Sequence, residues 1–230
     1  MKLKGYTVVL HEDLNSVAAE VAEDLLKAVI AKREVHRSPL GGRNCISIAE
    51  IAKLGRVVVK QYMRGGLFQY FIRRHYLKLG TIRSEAEFQL LSKAHAAGIS
   101  VPEPVGYIWR GEFLYQAWLV TKEIPGSMTV AEISLKDEDR LPDVMEEVIR
   151  QVGLLIKNGI CHVDLHPGNV LVDPQGRVYI IDFDKAYQFK GSPNVLRDRY
   201  LCRWRRAAIK HELPEVLSEI MSHGLRQSFE

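Results

Sequence analysis

Two strings of residues stand out: His162-Val-Asp164-Leu-His166-Pro-Gly-Asn169-Val-Leu, and further on Ile180-Ile-Asp182-Phe183-Asp184. A carboxylate and an amide five residues apart sit on one loop just before an expected strand. A second carboxylate closes the next strand of the same hairpin, so the three polar groups should meet at the open end of a two-stranded ribbon. Asn169 and Asp182 are hard oxygen ligands of the kind Mg²⁺ takes when phosphates supply the rest of its shell. Asp164 is then left to accept a proton from an attacking hydroxyl, the division of labour that phosphoryl transfer requires. Taken singly, Asp164 and Asp182 could be turn-capping carboxylates; the joint pattern favours chemistry.

Upstream, Lys60 closes the β-branched run Val57-Val-Val-Lys60, and Glu87 lies on the helix expected next. With these in that order, the sequence resembles the protein-kinase-like fold. His162-x-Asp164-x-x-x-x-Asn169 matches the kinase catalytic loop, and Ile-Ile-Asp182-Phe-Asp184 stands where kinases carry Asp-Phe-Gly. The resemblance implies that Lys60, oriented by Glu87, meets the α- and β-phosphates of ATP. Glu87 could instead only complete a capping box with Ser84, leaving Glu85 as the fallback partner of Lys60. His162 reads as an anchor of the loop. His166 stands where protein kinases usually place a lysine and looks more like small-molecule kinases; it could serve only to shape the loop. Asp184 replaces the glycine of Asp-Phe-Gly, which argues against a flipping switch there. The glycine-rich loop is reduced to Gly41-Gly42-Arg43, whose backbone N–H groups could still cradle phosphates.

Only 48 residues follow Asp182, too few for a long activation segment and a peptide-binding platform, so a minimal phosphotransferase is expected. Tyr62-x-Arg64-Gly65-Gly66, the segment Glu87–Tyr107, Leu119-Val-Thr-Lys-Glu-Ile-Pro-Gly126 and Ile180–Ala186 together resemble the lipopolysaccharide kinase family, and within it the 3-deoxy-D-manno-octulosonic acid (Kdo) kinases. The resemblance runs from about Leu40 to Lys210. It implies ATP- and Mg²⁺-dependent phosphorylation of a Kdo hydroxyl on the lipid A inner core, by a cytoplasmic protein peripheral to the inner face of the inner membrane. Other readings stay open: a small-molecule kinase of the aminoglycoside or choline type, an atypical RIO-like protein kinase, or a nucleotide-binding pseudokinase without turnover.

The elements that must hold these groups can also be read from the chain. An amphipathic helix spans about Ser16–Arg33 on the stripe Val17, Val21, Leu25, Val29, with Asn15 or Ser16 as cap. Two β-branched runs, Cys45–Ile51 and Arg56–Tyr62, flank Leu54-Gly55. A second helix begins at Ser84, where Ser84-Glu-Ala-Glu87 reads as a capping box. Strands Val105–Arg110 and Phe113–Lys122 follow, then the break at Pro125-Gly126. Beyond it lie a helix over Leu141–Lys157, the hairpin around Asp173-Pro-Gln-Gly176, and a helical remainder from about Ser192. The expected fold is therefore α+β and two-lobed: a mostly β lobe over 1–122, a hinge over 123–126, and a small helical lobe over 127–230. Backbone groups of Glu123 and Ile124 are the candidate adenine contacts.

The 230 residues are 47% hydrophobic and 26% charged, which excludes disordered, collagenous and disulfide-scaffold classes. Three widely spaced cysteines without a Cys-x-x-Cys pair argue against a zinc or disulfide framework. Nothing at the start of the chain reads as a secretory signal, and no apolar run is long enough to span a bilayer. The net charge of +4 is modest, which lowers a nucleic-acid reading. Arg64, Arg73, Arg74, Lys78 and Arg83 form an acid-free stretch, and Arg197, Arg199, Arg203, Arg205, Arg206 and Lys210 a second basic cluster. Both suit an anionic membrane surface or a lipopolysaccharide substrate, with Leu67, Phe68, Tyr70, Phe71 and Ile72 interleaved in the first. The plainer alternative is a solvated face over core aromatics.

Overall fold

The computed structural model describes residues 1–31, 45–63, 76–77 and 80–229. Gly41, Gly42 and Arg43, and the basic and aromatic residues between Arg64 and Arg74 together with Lys78, lie outside the described residues. The fold is α+β. The chain divides into two compact units, Met1–Ser92 with Glu103–Glu123, and Lys93–Pro102 with Ile124–Glu230.

The first unit is built on an antiparallel sheet. In chain order its strands are β1 (Lys2–Leu3), β2 (Tyr6–Leu10), β3 (Cys45–Ile51), β4 (Gly55–Gln61), β5 (Tyr76–Leu77), β6 (Pro104–Arg110) and β7 (Leu114–Lys122). They align as β1-β2-β6-β7-β4-β3, with β5 on β7. The β1–β2 hairpin was not legible in the sequence. It turns at Lys4-Gly5, both at positive φ, a pattern that suits tight hairpins. The β6–β7 turn needs Gly111, where φ is +103° and an added Cβ would meet the Leu114 carbonyl oxygen at 2.0 Å.

Helix α1 (Ala18–Ile30) is shorter than its apolar stripe predicts. A 3-10 turn over Glu12–Val17 precedes it, and neither Asn15 nor Ser16 caps it. It buries Val21, Ala22, Leu25 and Leu26 against Val8, Ala49, Ile51, Val57, Val59, Ile108 and Val120 of the sheet. Burial of roughly 2 kcal/mol per large apolar side chain fixes this helix to one sheet face.

Helix α2 (Arg83–Ala96) begins one residue before Ser84, and the expected capping box does not form. Ser84 Oγ is buried without a hydrogen-bond partner among the described residues. The stretch 93–102, expected in the first lobe, groups with the second unit. The reason is local. Ser100 N–H donates to Gln151 Oε1 at 2.7 Å, Gln151 Nε2 donates back to Ser100 Oγ at 3.0 Å, and Ile180 N–H donates to Ser100 C=O at 2.9 Å.

In the second unit, β8 (Met128–Thr129) leads into α3 (Val130–Lys136), where Thr129 and Glu132 form a complete capping box. Helix α4 (Leu141–Lys157) is the core element, burying Val144, Met145, Val148, Val152, Leu155 and Ile156. After it come β9 (Ile160–Cys161), β10 (Val170–Val172), β11 (Val178–Ile180), β12 (Tyr187–Gln188), α5 (Pro193–Lys210) and α6 (Val216–Gln227). Strands pair as β11-β10-β8 and β12-β9. Cys45, Cys161 and Cys202 are all free thiols.

Candidate active site

The chemistry-bearing residues fall into one group in each unit. In the first, strand alternation decides the geometry. Val57 and Val59 of β4 face α1, so Lys60 and, two residues on, Tyr62 turn to the opposite face. There Lys60 Nζ donates to both carboxylate oxygens of Glu87, at 2.8 and 3.0 Å, and the Tyr62 hydroxyl donates to Glu87 Oε2. Lys60 is 8% and Glu87 4% exposed, so this is a buried, charge-assisted pair. Glu87 thus meets Lys60 instead of capping its helix. The fallback Glu85 lies beside Tyr107, whose phenol is pushed up by burial and then by that carboxylate. Arg83, the one described cation of the first basic stretch, donates to the Tyr76 hydroxyl at 3.0 Å and lies over the Tyr62 and Tyr76 rings.

In the second unit the β10–β11 hairpin pairs Val170 with Ile180. Asn169 therefore directly precedes β10, and Asp182 follows β11 by two residues. Ile181 N–H donates to Asn169 C=O at 3.0 Å, closing the ribbon end on which both side chains stand. Asn169 Nδ2 donates to Asp164 C=O at 2.9 Å, which fixes its amide and leaves Oδ1 as the atom a cation can take. Asp182 sits at φ +66°, a left-handed conformation that aspartate tolerates better than most side chains and that marks a constrained position.

His162 ties the loop to the hairpin, donating from Nε2 to Ile181 C=O at 2.9 Å. Its ring meets buried Phe183 edge-on, with centroids 4.8 Å apart. His162 N–H donates to the Tyr200 hydroxyl at 2.9 Å, and that hydroxyl donates to Ile160 C=O, so α5 braces the loop from behind. Burial pushes the Tyr200 phenol far up, keeping it neutral. His166 Nδ1 accepts from Gly168 N–H at 3.1 Å and shapes the short turn Pro167–Asn169. Burial lowers the His166 imidazole below its usual value, against the pull of Asp164.

Arg203 is the residue sequence reasoning misplaced. It belonged to the basic surface cluster, but its guanidinium pairs through Nη2 with Asp164 Oδ1. Its partner lies 39 residues away, and no local signal announces it.

At the expected hinge, Glu123 pairs with Arg56, and its N–H donates to Arg56 C=O at 3.1 Å. Ile124 C=O accepts from Ser127 Oγ at 2.9 Å. Glu123 C=O and Ile124 N–H belong to one trans peptide and point to opposite sides of it.

Among the described residues, no cluster of three His, Cys, Asp or Glu side chains is placed to hold a metal. Asn169 Oδ1 and the Asp182 carboxylate nevertheless fit a hard cation that draws its other ligands from phosphate and water.

A sequence model of the lipopolysaccharide kinase (Kdo/WaaP) family matches residues 29–216. The chain belongs to that family. Curated relatives bearing the name 3-deoxy-D-manno-octulosonic acid kinase include one from Vibrio vulnificus (strain CMCP6), 31% identical over 65% of this chain and 64% of the relative. Another, from Photobacterium damsela subsp. piscicida, is 34% identical over 68% and 65%. A third, from Vibrio cholerae serotype O1, is 30% identical over 75% and 70%. The chain thus spans just under two thirds of the length of the first two of these relatives.

Proposed function

We propose that the chain is an ATP-dependent phosphotransferase that phosphorylates a Kdo hydroxyl of the lipopolysaccharide inner core. The observation that carries this reading is the ribbon end of the second unit, where Asp164, Asn169 and Asp182 stand on one hydrogen-bonded loop-and-hairpin frame. Membership of the lipopolysaccharide kinase family and the names of its Kdo-kinase relatives support the substrate.

Each residue has a part. Lys60, held extended by Glu87, neutralises the α- and β-phosphates. Asn169 and Asp182 would hold Mg²⁺, which would offset the charge that develops on the phosphates. Asp164 orients the acceptor hydroxyl and takes its proton. The acceptor oxygen bonds to the γ-phosphorus, and the bond from that phosphorus to the bridging oxygen breaks, with ADP leaving.

The acceptor is lipid-linked in this reading, and the protein works peripherally at the cytoplasmic face of the inner membrane. Exposed Arg205, Arg206 and Lys210 on α5, with Ile209 between them, support such contact. No helix among the described residues is long and apolar enough to cross a membrane.

The deciding experiment is transfer of labelled phosphate from Mg·ATP to Kdo-lipid A, with peptides and aminoglycosides as controls. We expect Asp164→Ala to lower the rate by roughly 10²- to 10⁴-fold while nucleotide binding persists. Equal turnover by the variant and the parent would remove Asp164 from the reaction.

A further inference from the structure

The group that must accept the proton is already occupied. Arg203 Nη2 bonds Asp164 Oδ1, so a guanidinium already holds one oxygen of the carboxylate that the acceptor hydroxyl must reach. The arginine is firmly mounted. Its neighbours on α5, Tyr200 and Trp204, are each 1% exposed, and Tyr200 is bonded to the backbone on both sides of Cys161.

The rest of the fork is idle. The Arg203 side chain makes no other hydrogen bond among the described residues, and its Nε is buried without a partner. A buried N–H left unpaired is costly, and a planar fork with unused donors is suited to a second carboxylate or phosphate. Nearby, His166 Nε2 lies 4.0 Å from Asp164 Oδ1 and the His211 ring 6.4 Å from the His166 ring. The second oxyanion would therefore enter an environment with Arg203 as its principal cation.

We propose that Arg203 reads the carboxylate of an acidic sugar acceptor. On binding, that carboxylate takes Arg203 over from Asp164, so the base is released only when a carboxylate-bearing acceptor is in place. The exchange replaces one ion pair by another of the same kind, so it needs little net free energy. This inference rests on the sugar-kinase reading above and adds the acceptor group that is recognised and the residue that recognises it.

The test compares Kdo-lipid A with its carboxamide analogue as acceptors for the full chain, Arg203→Gln and Arg203→Lys. Nucleotide binding by calorimetry checks that each variant is folded. We expect the parent to prefer the carboxylate acceptor by about 10- to 100-fold in kcat/KM, the scale of a charge-assisted contact. Arg203→Gln should erase that preference, mostly through KM. It should also raise ATP hydrolysis without acceptor, because Asp164 is no longer masked.

Should Arg203→Gln fail to bind nucleotide, Arg203→Lys carries the test and should show a reduced preference. An undiminished preference in the folded variant overturns the proposal. So does an equal loss with both acceptors, which would put Arg203 on the transferred phosphoryl group or on the loop alone. A parent that phosphorylates neither acceptor overturns the sugar-kinase reading, and this one with it.

Discussion

Lys60 and Glu87 are a buried pair whose members depend on each other for solvation. Removing one partner of such a pair costs more than replacing both by apolar groups. Lys60→Met should therefore destabilise the protein by about 3–5 kcal/mol, whereas Lys60→Met with Glu87→Met should recover most of that loss. Urea unfolding checks both, and phosphate transfer should be absent in both. Equal destabilisation by the single and double variants would contradict a mutually compensated pair. The pair itself was legible from strand, lysine, helix and glutamate in order. The capping box at Ser84 was misread because one carboxylate cannot both return to its own helix end and reach Lys60. Arg203 was illegible for a different reason. An arginine on an amphipathic helix looks the same in sequence whether it faces water or a carboxylate brought up from another element.

The hairpin β10–β11 is the element that sets the spacing of Asn169 and Asp182, and its turn is pinned by one side chain. Asp173 Oδ1 accepts from Gln175 N–H and Arg177 N–H, both at 2.9 Å, and Oδ2 accepts from Arg177 Nε at 2.7 Å. Burial alone would push this carboxyl up, but the bonds from Arg177 and Gln175 outweigh it and leave it below its ordinary value. A carboxyl whose value is lowered on folding stabilises the fold above its unfolded value and loses that contribution as pH falls through the folded one. Asp173→Ala should thus cost about 1–3 kcal/mol at pH 7. In denaturant titrations the gap between variant and parent should narrow below about pH 4, where the unfolded chain begins to take up protons. A gap independent of pH would exclude the charged carboxylate as the cause. Elements of this length and periodicity were readable: β3, β4, β6, β7 and α4 fall within a residue or so of expectation. Two-residue strands such as β8, β9 and β12 exist only through their partners, and no window of sequence carries enough alternation to reveal them.

Each unit carries its own layer of buried apolar side chains, and among the described residues most charges other than Lys60, Glu87 and Asp173 lie nearer the surface. On α5 the exposed face bearing Arg205, Arg206, Ile209 and Lys210 combines cations with an aliphatic side chain, and the proposed contact with anionic lipid rests on it. Binding to vesicles of acidic phospholipid should fall as salt is raised past about 0.15 M, where charges more than ~8 Å apart are screened. Reversing Arg205, Arg206 and Lys210 to glutamate should weaken it at low salt. Unchanged sedimentation with vesicles would rule this face out as the contact. The string around Asp182 has a further bearing on how the proposed phosphotransferase could be blocked. Phe183 is 1% exposed and seated on His162, Ala186 N–H closes the turn back to Phe183 C=O at 2.9 Å, and β12 then locks onto β9. A drug that disables its target by prising an aromatic side chain out of its seat would find this one bolted down at both ends, so inhibitors of the proposed phosphotransferase should be sought among compounds that compete for its acceptor or nucleotide.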